Sequence, residues 1–438
     1  MRLRSSTVFA CLAFLVLLYI PSYARDITLS KGAPEDVGMS SQRLEKITQA
    51  FSKETAEKRL PGAVVMIARD SKIIYENTFG NLTPTGNALM PKDAIFRIYS
   101  MTKPLMSVGL MLLVEDGLVE LTDPVSKFLP AFKDIQVAAP EGEVAPVRPV
   151  TVQDLLRHTS GLAYGELTKN QKVKDAFLAA GLAKKDIEYD ARDLSGSQEV
   201  ERLAKIPLVN QPGTLWEYSL AVDVVGRVIE AVTGKRAGDF LAERIFKPLQ
   251  MQDTAFWVPQ AKLGRLAAPF DVDPASGKSF PVIDVTKEPA NDSGGAGAVS
   301  TASDYLRFCQ MLLNGGTLDG VRIMSPSTIK LMTSDHLATL VSNPQAPGEL
   351  LLGSKGYTFG LGFAVRLADG IAGVPGSAGE FMWAGYSGTY FWVDPREGIA
   401  AVYMVQAPSP VRAYYRKLLK QLVYQAVTDL KGNTNSGL

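Results

Sequence analysis

Histidine is scarce in this chain, and its scarcity excludes several kinds of active site. The 438 residues include two histidines, His158 and His336. The Gly-x-Ser-x-Gly pattern of a nucleophile elbow does not occur, and with so few histidines the sequence offers little support for a Ser-His-Asp triad. Glycine-rich stretches with P-loop or dinucleotide-binding spacing are also missing. His158 directly follows a short capped helix at 152–157, where we expect its side chain to stabilise the helix end.

Cysteine is equally scarce, with Cys11 and Cys309 as its two occurrences. Zinc sites are built from several cysteine and histidine ligands, so we expect no metal site, and we expect no cofactor. Cys309 lies in the segment 305–313, whose apolar residues have helical spacing. This pattern favours a buried space-filling side chain over a nucleophile.

The chain also lacks an excess of charge of one sign and an apolar run long enough to cross a membrane. The 46 basic residues nearly balance the 45 acidic ones, and the net charge is +1. This balance argues against nucleic acid or an anionic membrane as the main partner. The run Val8–Ile20 contains 13 apolar residues, fewer than the roughly 20 that span a bilayer. We therefore expect no stable membrane anchor and predict no obligate protein partner.

The N-terminus has its features in the order of a secretory signal peptide. Arg2 and Arg4 precede the apolar run, and Ser22-Tyr23-Ala24 places small residues where a signal peptidase reads them. We expect cleavage near Ala24 and a periplasmic or secreted protein. A buried N-terminal helix or an uncleaved anchor is the alternative. Cleavage would remove Cys11, and the single remaining thiol could not form an internal disulfide.

Apolar periodicity places strands at both ends of the mature chain and helices between them. Together they predict an α+β fold with a central antiparallel sheet built from both chain ends and flanked by helices. The sheet subdomain would comprise 25–114 and 291–438, and a mainly helical inserted subdomain 115–290, within a single catalytic domain. The predicted strands are 62–68, 72–78, 357–367, 381–383, 390–393 and 399–405; the predicted helices include 40–57, 101–114 and a last one with Val411, Tyr414, Tyr415, Leu418, Leu419, Leu422 and Val423 on one stripe.

The pattern Ser-x-x-Lys occurs twice, as Ser100-Met101-Thr102-Lys103 and Ser327-Thr328-Ile329-Lys330. The second copy follows Ser325-Pro326, a good helix start that explains its serine without chemistry. The first serine stands between an extended run and a helix that is otherwise apolar. A lysine in such a helix requires a functional reason.

The spacing of Ser100 and Lys103 supplies that reason. Residues three apart share a helical face, so the amine can reach the hydroxyl. Burial and the helix N-terminus both favour the neutral amine that a general base requires. The same helix start directs backbone N–H groups at the position where an oxyanion would form. A third group usually carries the proton to the leaving atom, and the phenol of Tyr218, in a turn-rich loop, could do so; a tyrosine in such a loop is otherwise structural.

Several segments together resemble the serine β-lactamase fold, in its class C and penicillin-binding-protein-like branch. Ser100-Met101-Thr102-Lys103 resembles the nucleophile motif, Tyr218-Ser219-Leu220 the Tyr-x-Asn motif, and Trp383-Ala384-Gly385 the Lys-Thr-Gly motif at a sheet edge. The segments 154–162 and 294–316 are similar too. The resemblance implies an acyl-enzyme on Ser100, with Lys103 and Tyr218 moving protons. It also implies an oxyanion hole formed by the N–H groups of Ser100 and Tyr386.

Two departures from that motif set bear on the substrate. Leu220 replaces an asparagine, and Trp383 replaces a cation that helps to hold a substrate carboxylate. An indole offers one N–H and an apolar face, so a neutral ester suits this site better than a penicillin. With Trp383, Gly385 and Leu220 as substrate-binding residues, the pattern resembles the family VIII carboxylesterases, which implies hydrolysis of short-chain acyl or aryl esters.

Three hypotheses follow from this pattern. The first is an esterase with a small-molecule ester as its substrate and a side activity on β-lactams such as cephalosporins. The second is a β-lactamase or DD-peptidase, for which Arg412 could supply the missing cation. The third is a penicillin-binding-like module that binds without turnover. The intact set of Ser100, Lys103 and Tyr218 argues against the third.

Overall fold

The computed structural model describes residues 28–183, 190–338 and 347–431. The predicted signal peptide, residues 1–24, lies outside these ranges. Within the described residues the chain forms 14 strands, which are β1 Ser30–Lys31, β2 Gly62–Arg69, β3 Lys72–Gly80, β4 Phe96–Arg97, β5 Val137–Ala139, β6 Gly142–Val144, β7 Val299–Ser300, β8 Thr317–Leu318, β9 Val321–Arg322, β10 Tyr357–Phe359, β11 Ala364–Arg366, β12 Phe381–Ala384, β13 Tyr390–Asp394 and β14 Ile399–Val405.

The same ranges contain 11 α-helices. They are α1 Ser41–Ala56, α2 Thr102–Glu115, α3 Val152–Leu156, α4 Gln171–Ala179, α5 Gly196–Leu203, α6 Ala221–Thr233, α7 Ala237–Leu241, α8 Ala302–Leu313, α9 Pro326–Met332, α10 Pro347–Leu352 and α11 Arg412–Tyr424. None of the helices in the described ranges combines the length and the apolar character that crossing a membrane requires.

One large sheet combines strands from the two ends of the chain, as predicted. Its order is β1-β3-β2-β14-β13-β12-β11-β10. Strand β14 pairs with β2, with Val405 opposite Ala63 and Ile399 opposite Arg69. Neighbouring strands are antiparallel except for the edge pair β1 and β3, which is parallel.

Helices cover both faces of this sheet, so β2 and β14 are buried along their whole length. Tyr305 of α8 packs against Phe391 of β13 with ring centroids 5.1 Å apart. Phe51 of α1 packs against Tyr403 of β14 at 5.4 Å. Phe391 lies opposite Val402, and side chains alternate between faces along a strand. Helices α8 and α1 therefore lie on opposite faces, which explains why both strands are continuously apolar.

The helical layer beside the sheet is organised around α2. Residues Thr102 to Leu113 of this helix are all buried, because α6 and α7 pack against it. The capped helix predicted at 152–157 is present as α3, and its cap is a capping box, in which the Asp154 N–H donates to the Thr151 hydroxyl and the Asp154 carboxylate accepts from the Thr151 N–H. Residues 258–298 are mostly irregular, apart from a 3-10 turn at Gln260–Arg265.

The predicted apolar stripe of the last helix is partly wrong. Tyr414 is 55% exposed, and the buried face of α11 instead carries two cations, Arg416 and Lys420. Lys420 Nζ lies 2.7 Å from a Glu380 carboxylate oxygen, and both side chains are fully buried. Pairing with Glu380 offsets the cost of burying Lys420. Residue spacing within the helix could not reveal this partner, because Glu380 lies outside the helix.

Candidate active site

Ser100 is presented by a strained turn at the start of α2. Tyr99 has φ +45°, a left-handed conformation that is uncommon for a bulky residue. Thr102 Oγ1 donates to the Tyr99 carbonyl at 2.6 Å, and the Ile283 N–H donates to the Tyr99 hydroxyl at 2.9 Å. These bonds hold the turn from both ends and leave the Ser100 side chain half-buried beside a cavity.

Lys103 is almost fully buried, at 1% exposure. Its Nζ lies 3.2 Å from Ser100 Oγ, 2.9 Å from the Tyr164 hydroxyl and 2.8 Å from the Gly295 carbonyl oxygen. In the described part of the chain, no carboxylate forms an ion pair with it. A buried amine aimed at a serine hydroxyl and held by neutral oxygens is a suitable proton acceptor.

Tyr218 completes the group, because its hydroxyl lies 2.6 Å from Ser100 Oγ. Its ring also lies over the Lys103 amine, with Nζ 4.7 Å from the centroid. The structure thus brings together the three residues predicted from the motifs. A proton on Ser100 has two acceptors within reach, an amine and a phenol oxygen.

Asp223 holds the loop that faces Lys103. Its Oδ1 accepts from Ser293 Oγ at 2.6 Å and from the Gly295 N–H at 3.1 Å. A Cβ at Gly295 would lie 2.2 Å from Asp223 Oδ2, so this position requires glycine. Burial raises the pKa of Asp223, and the positive charge of Lys103 opposes that shift. The carboxylate thereby fixes the carbonyl that accepts from Lys103.

His158 lies behind the site and not at an exposed helix end. It is 1% exposed, and its Nδ1 lies 3.2 Å from Ser219 Oγ. Its ring meets that of Tyr218 edge to face at 5.2 Å. Burial, with a further contribution from Lys103, holds the pKa of His158 well below 6.5. The predicted role at the helix end is therefore wrong, since a neutral ring gives no charge for the helix dipole to attract.

The turn after β12 lies directly against the nucleophile turn. A Cβ at Gly385 would meet the Ile98 carbonyl oxygen at 2.3 Å, and Thr389 Oγ1 donates to the same oxygen at 3.3 Å. The Tyr386 ring packs edge to face against Tyr99, with centroids 5.3 Å apart. Because the two backbones touch, residues 385 and 386 lie beside the turn that carries Ser100.

Ser100 and Tyr218 face a cavity of about 140 Å³. Gly385 and Tyr386 form part of its wall. Much of the remaining lining is apolar or aromatic, with three charged side chains at its edge. These lining residues are Tyr99, Ser100, Tyr164, Leu167, Tyr218, Ala296, Leu350, Leu351 and Ala384, with the charged Glu166, Arg412 and Arg416.

Trp383 and Leu220 do not line this cavity, which corrects their predicted role in substrate binding. Trp383 is 1% exposed and packs against Tyr218 with centroids 5.5 Å apart, and Leu220 is fully buried at the start of α6. The indole supports the Tyr218 ring from behind. The predicted position of this motif at a sheet edge is also wrong, because β12 lies inside the sheet between β13 and β11. The Trp383 side chain points into the core.

The second Ser-x-x-Lys copy lies on the surface, as its helix-start pattern indicates. Ser325 caps α9 and accepts from the Thr328 N–H at 3.1 Å, while the exposed Ser327 hydroxyl lies 2.7 Å from Ser325 Oγ. Cys309 is fully buried, as predicted, and burial raises its pKa well above the ordinary value. Its thiol is thus shielded from chemistry.

Three polar residues of the site were not predicted: Tyr164, Asp223 and Arg416. Each acts across the fold, so no local spacing to Ser100 marks it. Tyr164 comes soon after Ser160-Gly161, a segment already similar to the family, and that is the one signal that could have indicated it. In the described ranges, no group of three or more His, Cys, Asp or Glu side chains is arranged to hold a metal ion.

Comparison with known proteins gives a consistent result. The family model described as Beta-lactamase matches residues 47–425. The chain is 32% identical over 356 residues to Protein Rv1367c of Mycobacterium tuberculosis, covering 79% of this chain and 86% of that protein. It is 30% identical over 387 residues to Esterase EstB of Burkholderia gladioli, covering 84% and 90%.

A solved structure gives the same result for the fold. It is that of EstCE1, described as a hydrolase with promiscuous acyltransferase activity. The TM-score is 0.73 at 27% identity, and the alignment covers 89% of this chain and 99% of that one.

Proposed function

This chain belongs to the beta-lactamase family, and we propose that it is a serine esterase of that family. Its substrates would be short-chain acyl or aryl esters. The observation that carries the proposal is the position of Ser100 Oγ, 2.6 Å from the Tyr218 hydroxyl and 3.2 Å from Lys103 Nζ. Similarity to an esterase of Burkholderia gladioli supports it.

The proposed reaction begins with attack of Ser100 Oγ on the ester carbonyl carbon. The serine proton passes to Lys103 or Tyr218, and the carbonyl oxygen becomes an oxyanion between the N–H groups of Ser100 and Tyr386. Collapse of the tetrahedral species breaks the bond to the alcohol, which leaves with the transferred proton. Water then attacks the acyl-enzyme by the same route, and the acid is released with Ser100 restored.

The size and lining of the cavity support short acyl groups. A cavity of about 140 Å³ is close to the roughly 150 Å³ that accommodates a benzene molecule. Acetyl to butanoyl chains fit such a space between the apolar side chains of Leu167, Leu350 and Leu351. A hexanoyl chain would leave part of its length in water, so we expect kcat/KM to fall at that length.

The first experiment compares p-nitrophenyl acetate, butanoate and hexanoate with nitrocefin as substrates. Ser100→Ala and Lys103→Ala should lower ester turnover by about 10³-fold or more, as loss of a nucleophile or its base does. Ser327→Ala is the matched control, because it changes the same residue type in the same motif at the surface, and its turnover should equal wild type. Wild-type protein without ester turnover, or turnover indifferent to Ser100, would favour the non-catalytic binding module.

Arg412 favours a second candidate function, hydrolysis of β-lactams or related carboxylate-bearing substrates. Its guanidinium reaches the edge of the cavity, donates to the Tyr386 carbonyl at 2.9 Å and lies 5.0 Å from the Tyr386 ring centroid. A cation there can pair with a substrate carboxylate. Arg412→Gln should therefore lower nitrocefin turnover and leave that of neutral p-nitrophenyl acetate much less affected. Equal losses on both substrates would contradict a carboxylate-binding role.

Export is part of the same proposal. The charged start, apolar run and small residues ending at Ala24 support it. Mass spectrometry of the protein from a periplasmic or culture fraction should give a mature chain beginning at Arg25. A chain that retains Met1 and stays with the cytoplasmic fraction would contradict export.

A further inference from the structure

Arg416 is a buried cation at the inner wall of the active-site cavity. It is 3% exposed and lies on the face of α11 that packs against the sheet. Its Nη2 donates to the Gly385 carbonyl at 2.5 Å, and its Nη1 donates to the Leu351 carbonyl at 3.1 Å. Both partners are neutral main-chain oxygens.

Nothing in the described part of the chain neutralises this charge. No carboxylate there forms an ion pair with Arg416, and its Nε has no hydrogen-bond partner. Burial, with repulsion from Arg412, lowers the pKa of Arg416 to about 9, so the side chain is still charged at neutral pH. A buried charge without a counter-ion is costly, and such costs are typically retained where they serve function.

The carbonyl that Arg416 holds belongs to a peptide unit of the site. The Gly385 C=O and the Tyr386 N–H are the two polar groups of one peptide, and in a planar trans peptide they point in opposite directions. Fixing the oxygen towards α11 therefore fixes the N–H towards the cavity. A cation on the oxygen also polarises the peptide and makes its N–H a stronger donor.

We propose that Arg416 is a positioning residue that orients and polarises the Gly385–Tyr386 peptide, and so strengthens one of the two N–H groups that stabilise the oxyanion. This inference rests on the proposed esterase mechanism. The Gly388 N–H donates to the same Gly385 carbonyl at 3.1 Å, so the oxygen is held by two donors. Arg412 acts one peptide further on, at the Tyr386 carbonyl.

The position of Arg416 is itself fixed by the charged pair one turn along the helix. Lys420 is bonded to Glu380 at 2.7 Å, and Glu380 directly precedes β12, which ends at Ala384. The pair sets the register of α11 against that strand. Arg416, four residues before Lys420, then meets Gly385, at the end of the same strand.

The test compares Arg416→Gln, Arg416→Lys and wild type, with Lys417→Gln as a control that removes a charge from the same helix at a half-buried position outside the cavity. Steady-state hydrolysis of p-nitrophenyl acetate gives kcat and KM, and phenylboronic acid, which forms an anionic tetrahedral adduct with the serine, serves as the transition-state probe. Thermal melting of each variant reports folding.

We expect Arg416→Gln to lower kcat by about 10- to 100-fold with little change in KM, a smaller loss than removal of a whole oxyanion donor. The affinity for phenylboronic acid should weaken by a similar factor, since the adduct carries the charge that the N–H stabilises. Lys417→Gln should match wild type. Unchanged kcat, or a lower kcat with unchanged boronate affinity, would overturn the proposal.

Arg416→Lys keeps the test decisive if Arg416→Gln does not fold. A lysine keeps the charge but lacks the planar fork that donates to two carbonyls, so kcat should fall below wild type, by less than the roughly 10- to 100-fold expected for glutamine. The infrared stretch of the acyl-enzyme carbonyl should rise in frequency, because its oxygen is bonded less strongly. A lysine variant with wild-type kcat and wild-type stretch would overturn the role of Arg416. Ester turnover that is unchanged in Ser100→Ala would instead overturn the esterase mechanism.

Discussion

Each hydrogen bond of Lys103 helps to orient its amine towards Ser100. Its amine has three oxygen neighbours, and only one of them, the Tyr164 hydroxyl, can be removed without touching the nucleophile or the backbone. Loss of that hydroxyl leaves the amine with one fewer partner in a buried site. Tyr164 is therefore the residue whose change best reports how tightly the base must be held.

We expect Tyr164→Phe to lower kcat about 10- to 100-fold, the range of one hydrogen bond to the ammonium group that forms when Lys103 accepts the serine proton. Tyr403→Phe is the matched control, because its buried hydroxyl has no hydrogen-bond partner among the described residues. The control should keep wild-type turnover and stability. Steady-state ester hydrolysis of both variants checks this, and equal activity in the two would show that the Tyr164 hydroxyl does not act on Lys103.

At this scale the sequence predicted what helical spacing can encode. Ser100 and Lys103 are three residues apart, so their contact follows from helix geometry. Tyr218 depended on resemblance to a family motif, since 118 residues separate it from Ser100. Asp223 and Arg416 reach the site through tertiary packing, and Trp383 turns away from the cavity. Such orientations depend on neighbours that spacing does not specify.

Among the elements, the turn after β12 has the least freedom to change. Gly385 lies so close to Ile98 that a methyl group would overlap a backbone oxygen at 2.3 Å. Backbone cannot move aside as a flexible side chain would. Any side chain at 385 must therefore push β12 away from the turn that carries Ser100.

Gly385→Ala should lower kcat/KM for p-nitrophenyl acetate by about 10²-fold or more, because a shift of about 1 Å at a catalytic group has that effect. Gly264→Ala is the control, since a Cβ at Gly264 meets no atom within 4 Å. Circular dichroism should show both variants folded. Full activity in Gly385→Ala would contradict the close approach of the two turns.

Element boundaries were predictable where local signals were strong. The capping box at 151–154 and the turn between β2 and β3 are encoded within a few residues. The predicted strand 357–367 is instead two strands, β10 and β11, that pair with each other. Its apolar character continues through the connection because Leu361 and Phe363 are buried there, so the run itself did not indicate the turn.

For the whole molecule, the two histidines make stability depend on pH. Burial is the largest cause of the pKa shift in both histidines. It holds the pKa of His158 well below the ordinary 6.5, and it lowers the pKa of His336 from the same value. Below about pH 6.5 the unfolded chain therefore binds more protons than the folded one. Folding stability therefore falls as pH falls, by up to about 1.4 kcal/mol per pH unit for each histidine.

His158→Gln should reduce the difference in urea unfolding free energy between pH 7.5 and pH 5.5 by about 1.4 kcal/mol, the contribution of one histidine that takes up its proton only in the unfolded chain. The variant can be less stable at both values, and the readout is the difference between them. Carboxylates contribute equally to wild type and variant, and Asp154 titrates far lower, because hydrogen bonds from Arg148 and Thr151 outweigh its burial and lower its pKa to about 2. An unchanged difference would contradict a neutral buried His158.

The pairing of β14 with β2 has a consequence for how the chain is made. Ile399 follows Gly80, the end of β3, by about 320 residues. At roughly 5–20 residues per second, a ribosome takes tens of seconds to cover that distance. During this time the first hairpin has an apolar strand with an unpaired edge, the kind of surface on which chains aggregate. A nascent chain released before Ile399 would keep that edge open, and we expect it to need a chaperone or to be degraded.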